Sequence, residues 1–346
     1  MHLKKGCSYL KKQSIILLFV VCCLSLLMGA CGNKEGNENA SGDEIVYRLG
    51  HAAPETDPAG LLSNKMADDI KAFTSEQITL EVFPGAQLGG EVEMVEQVRS
   101  GTIDMAIVTS GALSNFVQEV AFLDMPFLFE DFEHAREILQ GEVGDKLKAK
   151  AEEKGIKLLT FFDYGIANIS NNKRDIYTLN DVKGLKLRTL ENEIFMDTFR
   201  ALGADPVPIP YPELYTSIQQ GVVDGTDPLN VTMTGGKIYE VNKHLSKVGI
   251  SYRAGVIVMN LDKYNALSDD LKSKFDSMII DGRDYYHDTI YPEYEASAEK
   301  LMKENGVNII EAEDIDLGSF KEAVQPVYDK HEAKFSEFIS IIKESR

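Results

Sequence analysis

ITLEVFPGAQLGGEVEMVEQVRSGTIDMAIV, residues 78–108, decides the reading of the fold. Ile78, Leu80 and Val82 alternate with other residues at the period of a half-buried strand, and Pro84-Gly85 breaks it. Gly85 to Gly90 is glycine-rich but lacks the lysine of a phosphate loop, so it reads as a turn. Glu91 to Val98 has helical character, and Ile103 to Val108 is a short apolar strand. Strand, turn, helix and strand in one short span are the makings of an α/β protein.

The same alternation continues on both sides. Ile45 to Leu49 reads as a strand, and Leu62, Met66, Ile70 and Phe73 recur at helical spacing. Ile156–Phe162, Leu185–Leu187 and Gly255–Met259 read as further strands, with helical patterns between them. Leu271, Phe275, Met278 and Ile279 mark one of those helices. No internal repeat is present. Ligand chemistry is expected at strand ends.

Before Ile45 the sequence reads as targeting rather than fold. Lys4, Lys5, Lys11 and Lys12 precede an apolar run from Ile15 to Met28, too short to span a bilayer comfortably. Small residues then lead to Cys31, in Leu27-Met28-Gly29-Ala30-Cys31. Residues 1–30 are therefore expected to be a lipoprotein signal peptide, with Cys31 the lipidated mature N-terminus. Met28 stands where the lipobox pattern usually has leucine. Residues 31–44, polar and glycine-rich, read as a flexible tether. Lipid on Cys31 would hold the protein at the outer face of a cell membrane.

All four cysteines lie in the first 31 residues, so a chain cleaved before Cys31 can form no internal disulfide and no thiolate zinc site. The net charge is −19, and loss of the basic leader makes it more negative. Such a surface repels nucleic acid and does not steer anions from a distance. Specificity for an anion would have to come from a local buried cation.

The chemistry-bearing motifs are few. The histidines are scattered, with neither a His-Glu-x-x-His nor a Gly-x-Ser-x-Gly pattern. No base and nucleophile pair stands out, and neither cofactor nor metal is expected. Asp281, Asp284, His287 and Asp288 read as a solvated helix face rather than a metal site. In Gly184-Leu185-Lys186-Leu187-Arg188 the leucines alternate with cations, and Arg188 falls where the strand should end. There it could clamp a carboxylate through two parallel hydrogen bonds, or lie exposed on the surface. Tyr211, set among Pro208, Pro210 and Pro212, could wall a pocket or simply pack at a helix entry.

Read in order, these segments resemble the solute-binding proteins of TRAP transporters, the DctP-like family. The resemblance rests on VFPGAQLGGE (82–91), EMVEQVRSGTIDM (93–105), MPFLF (125–129), DVKGLKLR (181–188), LGA (202–204), ELY (213–215), QQGVVDG (219–225) and YEV (239–241). It implies a two-lobed periplasmic-binding-protein-like fold with a cleft between the lobes and a long connecting helix. It implies an extracytoplasmic receptor, not an enzyme, handing a small carboxylate to small and large TRAP membrane subunits. The expected lobes are 45–164 with 253–293, and 165–252 with 294–346. A monomer is the default. Presentation of the solute to a membrane signalling partner is the alternative.

The family's carboxylate arginine falls on Arg188 and its aromatic wall on Tyr211. Other positions depart from the pattern. Ala167 replaces a second arginine, Pro228 a ligand asparagine, and Ala52, Thr109 and Ala112 stand where sialic-acid-binding relatives carry polar pocket residues. Unpaired sugar hydroxyls cost roughly 1–3 kcal/mol each. A smaller or less polar monocarboxylate is therefore expected, bound by Arg188, Tyr211, Asp227, Asn168, Thr109 and Glu91.

Overall fold

The computed structural model describes residues 44–345. The leader, Cys31 and most of the tether lie outside them. The main elements are β1 (Ile45–His51), α1 (Pro58–Phe73), β2 (Ile78–Phe83), α2 (Glu91–Ser100), β3 (Met105–Thr109) and β4 (Ile156–Asn171). Then come β5 (Lys186–Thr189), α3 (Glu193–Ala201), β6 (Asp205–Pro208), β7 (Gly225–Thr226), α4 (Asn230–Gly235) and β8 (His244–Asn260). Last are α5 (Asp269–Tyr285), a π-turn (Tyr286–Ile290), α6 (Tyr291–Glu304), β9 (Asn308–Ile310) and α7 (Ser336–Glu344), with shorter helices between.

The strands run in the order β2-β1-β3-β8-β4-β7-β5-β6, with β9 on β8. Two long antiparallel strands, β4 and β8, form the spine. Parallel β1–β3 attach near one end, where Met105 pairs with Met259. Parallel β5–β7 attach at the other, where Ser170 pairs with Thr226. This is the α/β, two-lobed plan expected, with both lobes strung on one pair of strands. The register of β4 against β8 shifts between Asp163 and Gly165, and Gly165 holds φ +142°, which favours glycine.

Side chains sort as the periods require. Along β3, Met105 and Ile107 join one core, and Ala106 and Val108 join another. The strand is covered on both faces, which is why it reads as a continuous apolar run. Leu62, Met66 and Ile70 are buried, but Phe73, in the last turn of α1, is 51% exposed. Helices α5 and α6 form one helical run through the π-turn, the expected long connector. On it Asp281, Asp284 and Asp288 are exposed, whereas His287 turns inward beside Asp163. The C-terminal segment packs on two stretches that are distant in sequence. Phe338 stacks on Phe122 at 4.8 Å, and Lys330 and His331 bond Asp197.

Candidate functional site

Arg188 occupies the alternating strand β5, where Lys186 faces solvent and Leu187 and Arg188 are buried. Its Nε donates to Ile209 O at 2.7 Å. Its Nη2 is buried without a hydrogen-bond partner among the described residues. Burial lowers the pKa of this guanidinium, and the charges of Asp227 and Glu91 act in the opposite sense.

Glu91 is the first residue of α2, placed by the turn that Gly85 and Gly89 allow at φ +64° and +103°. One of its carboxylate oxygens accepts from Thr109 Oγ1 at 2.6 Å and Thr109 N at 3.2 Å. Burial pushes the Glu91 carboxyl up, against those two bonds and Arg188. Asp227 follows β7 and accepts from Arg253 Nη2 at 2.5 Å. Arg253 also donates to Ser251 Oγ at 2.5 Å and lies over the Phe195 ring, 3.5 Å from its centroid. Asp57, just before α1, accepts from Tyr294 Oη at 2.8 Å, and burial pushes its carboxyl up to about 6. Behind the Arg253–Asp227 pair, Asp124 accepts from Ser110 Oγ (2.9 Å) and Asn192 Nδ2 (2.8 Å). Burial raises its carboxyl to about 7.

Arg188, Glu91, Thr109, Tyr211 and Asp227 line one cavity of ≈ 690 Å³, counting the solvent at its mouth. Asn168 does not line it. Its amide oxygen accepts from Gly249 N at 3.1 Å, so its side chain is committed to joining β4 and β8. Ala52 lines the cavity, whereas Ala112 is buried in the core. The sequence reading missed Asp57, Tyr164, Leu190, Leu229, Val231, Arg253 and Tyr286 on the wall. It also took the pocket to have lost a cation at Ala167. That alanine is buried in a cluster with Leu229 and Val231, and a second guanidinium enters from β8 as Arg253. The signal was there: Arg253 is the one charged residue in the stretch from Gly249 to Leu261.

The cavity combines an unsatisfied buried cation with carboxylates and an apolar wall, which suits an anion carrying hydrogen-bonding groups. Residues 49–334 match the family described as bacterial extracellular solute-binding protein, family 7. The chain belongs to that family. Among its relatives, the 2,3-diketo-L-gulonate-binding periplasmic protein YiaO of Escherichia coli K12 is 32% identical over 80% of this chain and 84% of its own. A TRAP periplasmic solute-binding protein of Polaromonas sp. JS666, bound to D-erythronate, is 33% identical with a TM-score of 0.83, covering 86% of this chain and 98% of its own. One from Bordetella, with density interpreted as pantoate, is 32% identical with a TM-score of 0.83, covering 88% and 100%.

The family 7 chain is thus a TRAP-type solute-binding receptor for organic acids, in a family of extracytoplasmic receptors rather than enzymes. Such receptors work with TRAP membrane subunits. No helix among the described residues is long and apolar enough to cross a membrane. Hydroxylated sugar acids are among the relatives' ligands, so kinship alone does not single out a less polar acid.

Proposed function

We propose that this receptor captures a small monocarboxylate between two lobes and delivers it to TRAP membrane subunits. The partnerless Nη2 of Arg188 carries the reading: a solute carboxylate would satisfy it and neutralise a buried charge. Asp227 and Glu91 would accept from hydroxyls, with Thr109 steadying Glu91 and Tyr211 as a wall. Ala52, Ala53, Leu190, Leu229 and Val231 leave room for carbon rather than for many hydroxyls. The lobes are residues 45–164 with 253–293, and 165–252 with 294–346. The first supplies Asp57, Glu91, Thr109 and Arg253, and the second Arg188, Tyr211 and Asp227. Contacts to both would favour a closed state. Cys31 carries the lipid that anchors the receptor outside the membrane, and mass spectrometry of the mature N-terminus should find it acylated.

A thermal-shift screen of organic acids tests the central claim. A bound acid at a hundred times its Kd adds about 2.7 kcal/mol. The matching primary amide should give no shift. An amide that stabilises as well as its acid would refute carboxylate recognition.

A further inference from the structure

Five buried side-chain atoms lack a hydrogen-bond partner among the described residues: His51 Nδ1, Arg188 Nη2, Thr189 Oγ1, Asn230 Oδ1 and Tyr286 Oη. Only Arg188 and Tyr286 belong to residues lining the cavity. The first is accounted for by the carboxylate. The second has no role so far.

Tyr286 is fully buried and opens the π-turn between α5 and α6. A π-turn re-aims the side chains that follow a regular helix. The ring is fixed on several sides. Phe162 meets it edge-on at 5.0 Å, Tyr291 stacks at 5.8 Å and His287 lies at 5.9 Å. Packing holds the ring in place, so the hydroxyl has little freedom to seek a partner elsewhere. An unpaired buried hydroxyl is destabilising, and phenylalanine would fill the same space without that cost. Burial and the neighbouring carboxylates keep the phenol neutral, hence a donor.

We infer that Tyr286 is a second, specificity-determining anchor, donating to a hydroxyl or oxo oxygen on an acid whose carboxylate rests on Arg188. The inference builds on the carboxylate reading and narrows it to hydroxy and oxo monocarboxylates. An acid with the same chain and no second oxygen would fill the cavity but leave Tyr286 unpaired. A site built to bond a substrate oxygen discriminates strongly against the analogue lacking it.

Calorimetry with butyrate, 2-, 3- and 4-hydroxybutyrate, 2-oxobutyrate, D-erythronate and pantoate tests this, using wild type, Tyr286→Phe and Arg188→Lys. Wild type should bind at least one oxygenated acid tenfold or more tighter than butyrate. Tyr286→Phe should weaken that acid about tenfold, leave butyrate within twofold, and melt at the wild-type temperature or above. Unchanged preference in Tyr286→Phe, with all the acids weakened in Arg188→Lys, overturns the role of Tyr286 alone. So does equal weakening of butyrate and the oxygenated acids, which marks a merely structural ring. Wild type indifferent to all seven acids sinks the carboxylate reading as well.

Discussion

Replacing Arg188 with alanine separates binding from folding. In the unliganded protein this guanidinium is a buried charge with one hydrogen bond, to Ile209 O, and a second nitrogen without a partner. Truncation gives up that bond, about 1 kcal/mol, and some packing. It also removes a desolvated cation, so the net change in stability should be small. In the complex the same truncation strands the solute carboxylate away from water. Truncating one partner of a buried, hydrogen-bonded charge pair costs roughly 2–5 kcal/mol. At about 1.4 kcal/mol per tenfold, Kd should rise by about 30-fold to several thousand-fold. Arg188→Lys keeps the charge but loses the planar fork, and should fall between. The assay is calorimetry with the strongest acid from the thermal screen, beside thermal melts of each unliganded variant. A folded Arg188→Ala protein with wild-type Kd would refute the reasoning. A variant that loses much stability but little affinity would make Arg188 a core residue instead.

Three further perturbations probe the surroundings. Arg253→Met should cost roughly 3–5 kcal/mol in denaturant unfolding, because it strands Asp227 inside the protein, and adding Asp227→Asn should recover most of it; no recovery in the double variant would mean the pair is not what Arg253 contributes. The Asp124 carboxyl moves from its ordinary value of 3.8 up to about 7 on folding. Between those values the folded state keeps a proton the unfolded chain has released, so its contribution is full below about pH 4 and is lost as pH rises through about 7. The unfolding free energy of wild type minus that of Asp124→Asn should therefore fall over that range, and a flat or rising difference would contradict the burial argument. A Cβ at Gly235 would lie 1.8 Å from Asp57 Oδ2, so Gly235→Ala should displace the Asp57 carboxylate from Tyr294 on the cavity wall and weaken acid binding by tenfold or more, while circular dichroism shows an intact fold; an unchanged Kd would mean the placement of Asp57 does not govern binding.

Local order was legible in the sequence because each short strand carries its own period. Ile78–Phe83 and Met105–Thr109 announce themselves in a few residues. The spine did not. Only Ile156–Phe162 and Gly255–Met259 read as strand, yet β4 runs on to Asn171 and β8 begins at His244. The unread halves carry glycines and polar residues, such as Gly165, Asn168, Ser246 and Gly249, which break apolar periodicity. Their polar groups are satisfied by tertiary partners no local window contains. Ser246 Oγ accepts from Ile176 N at 3.1 Å, and Asn168 holds Gly249 N.

The same limit explains the misjudged pocket. Read along one chain, Ala167 is a missing cation, because nothing nearby replaces it. Across the sheet the account changes. β4 and β8 are antiparallel, with Gly165 opposite Arg253 and Ala167 opposite Ser251. A guanidinium absent from one strand is thus supplied by its neighbour two pairs away, though the two positions are far apart in sequence. Its consequence is not that of the arginine it stands in for. Arg253 is already bonded to Asp227, so the pair brings nearly no net charge to the cavity and offers a carboxylate acceptor beside it. Arg188 is left as the guanidinium with a free donor, which favours one carboxylate on the solute over two. A dicarboxylate would have to compete with Asp227 for Arg253 and leave that carboxylate buried without its partner, at a cost comparable to what the second ion pair returns.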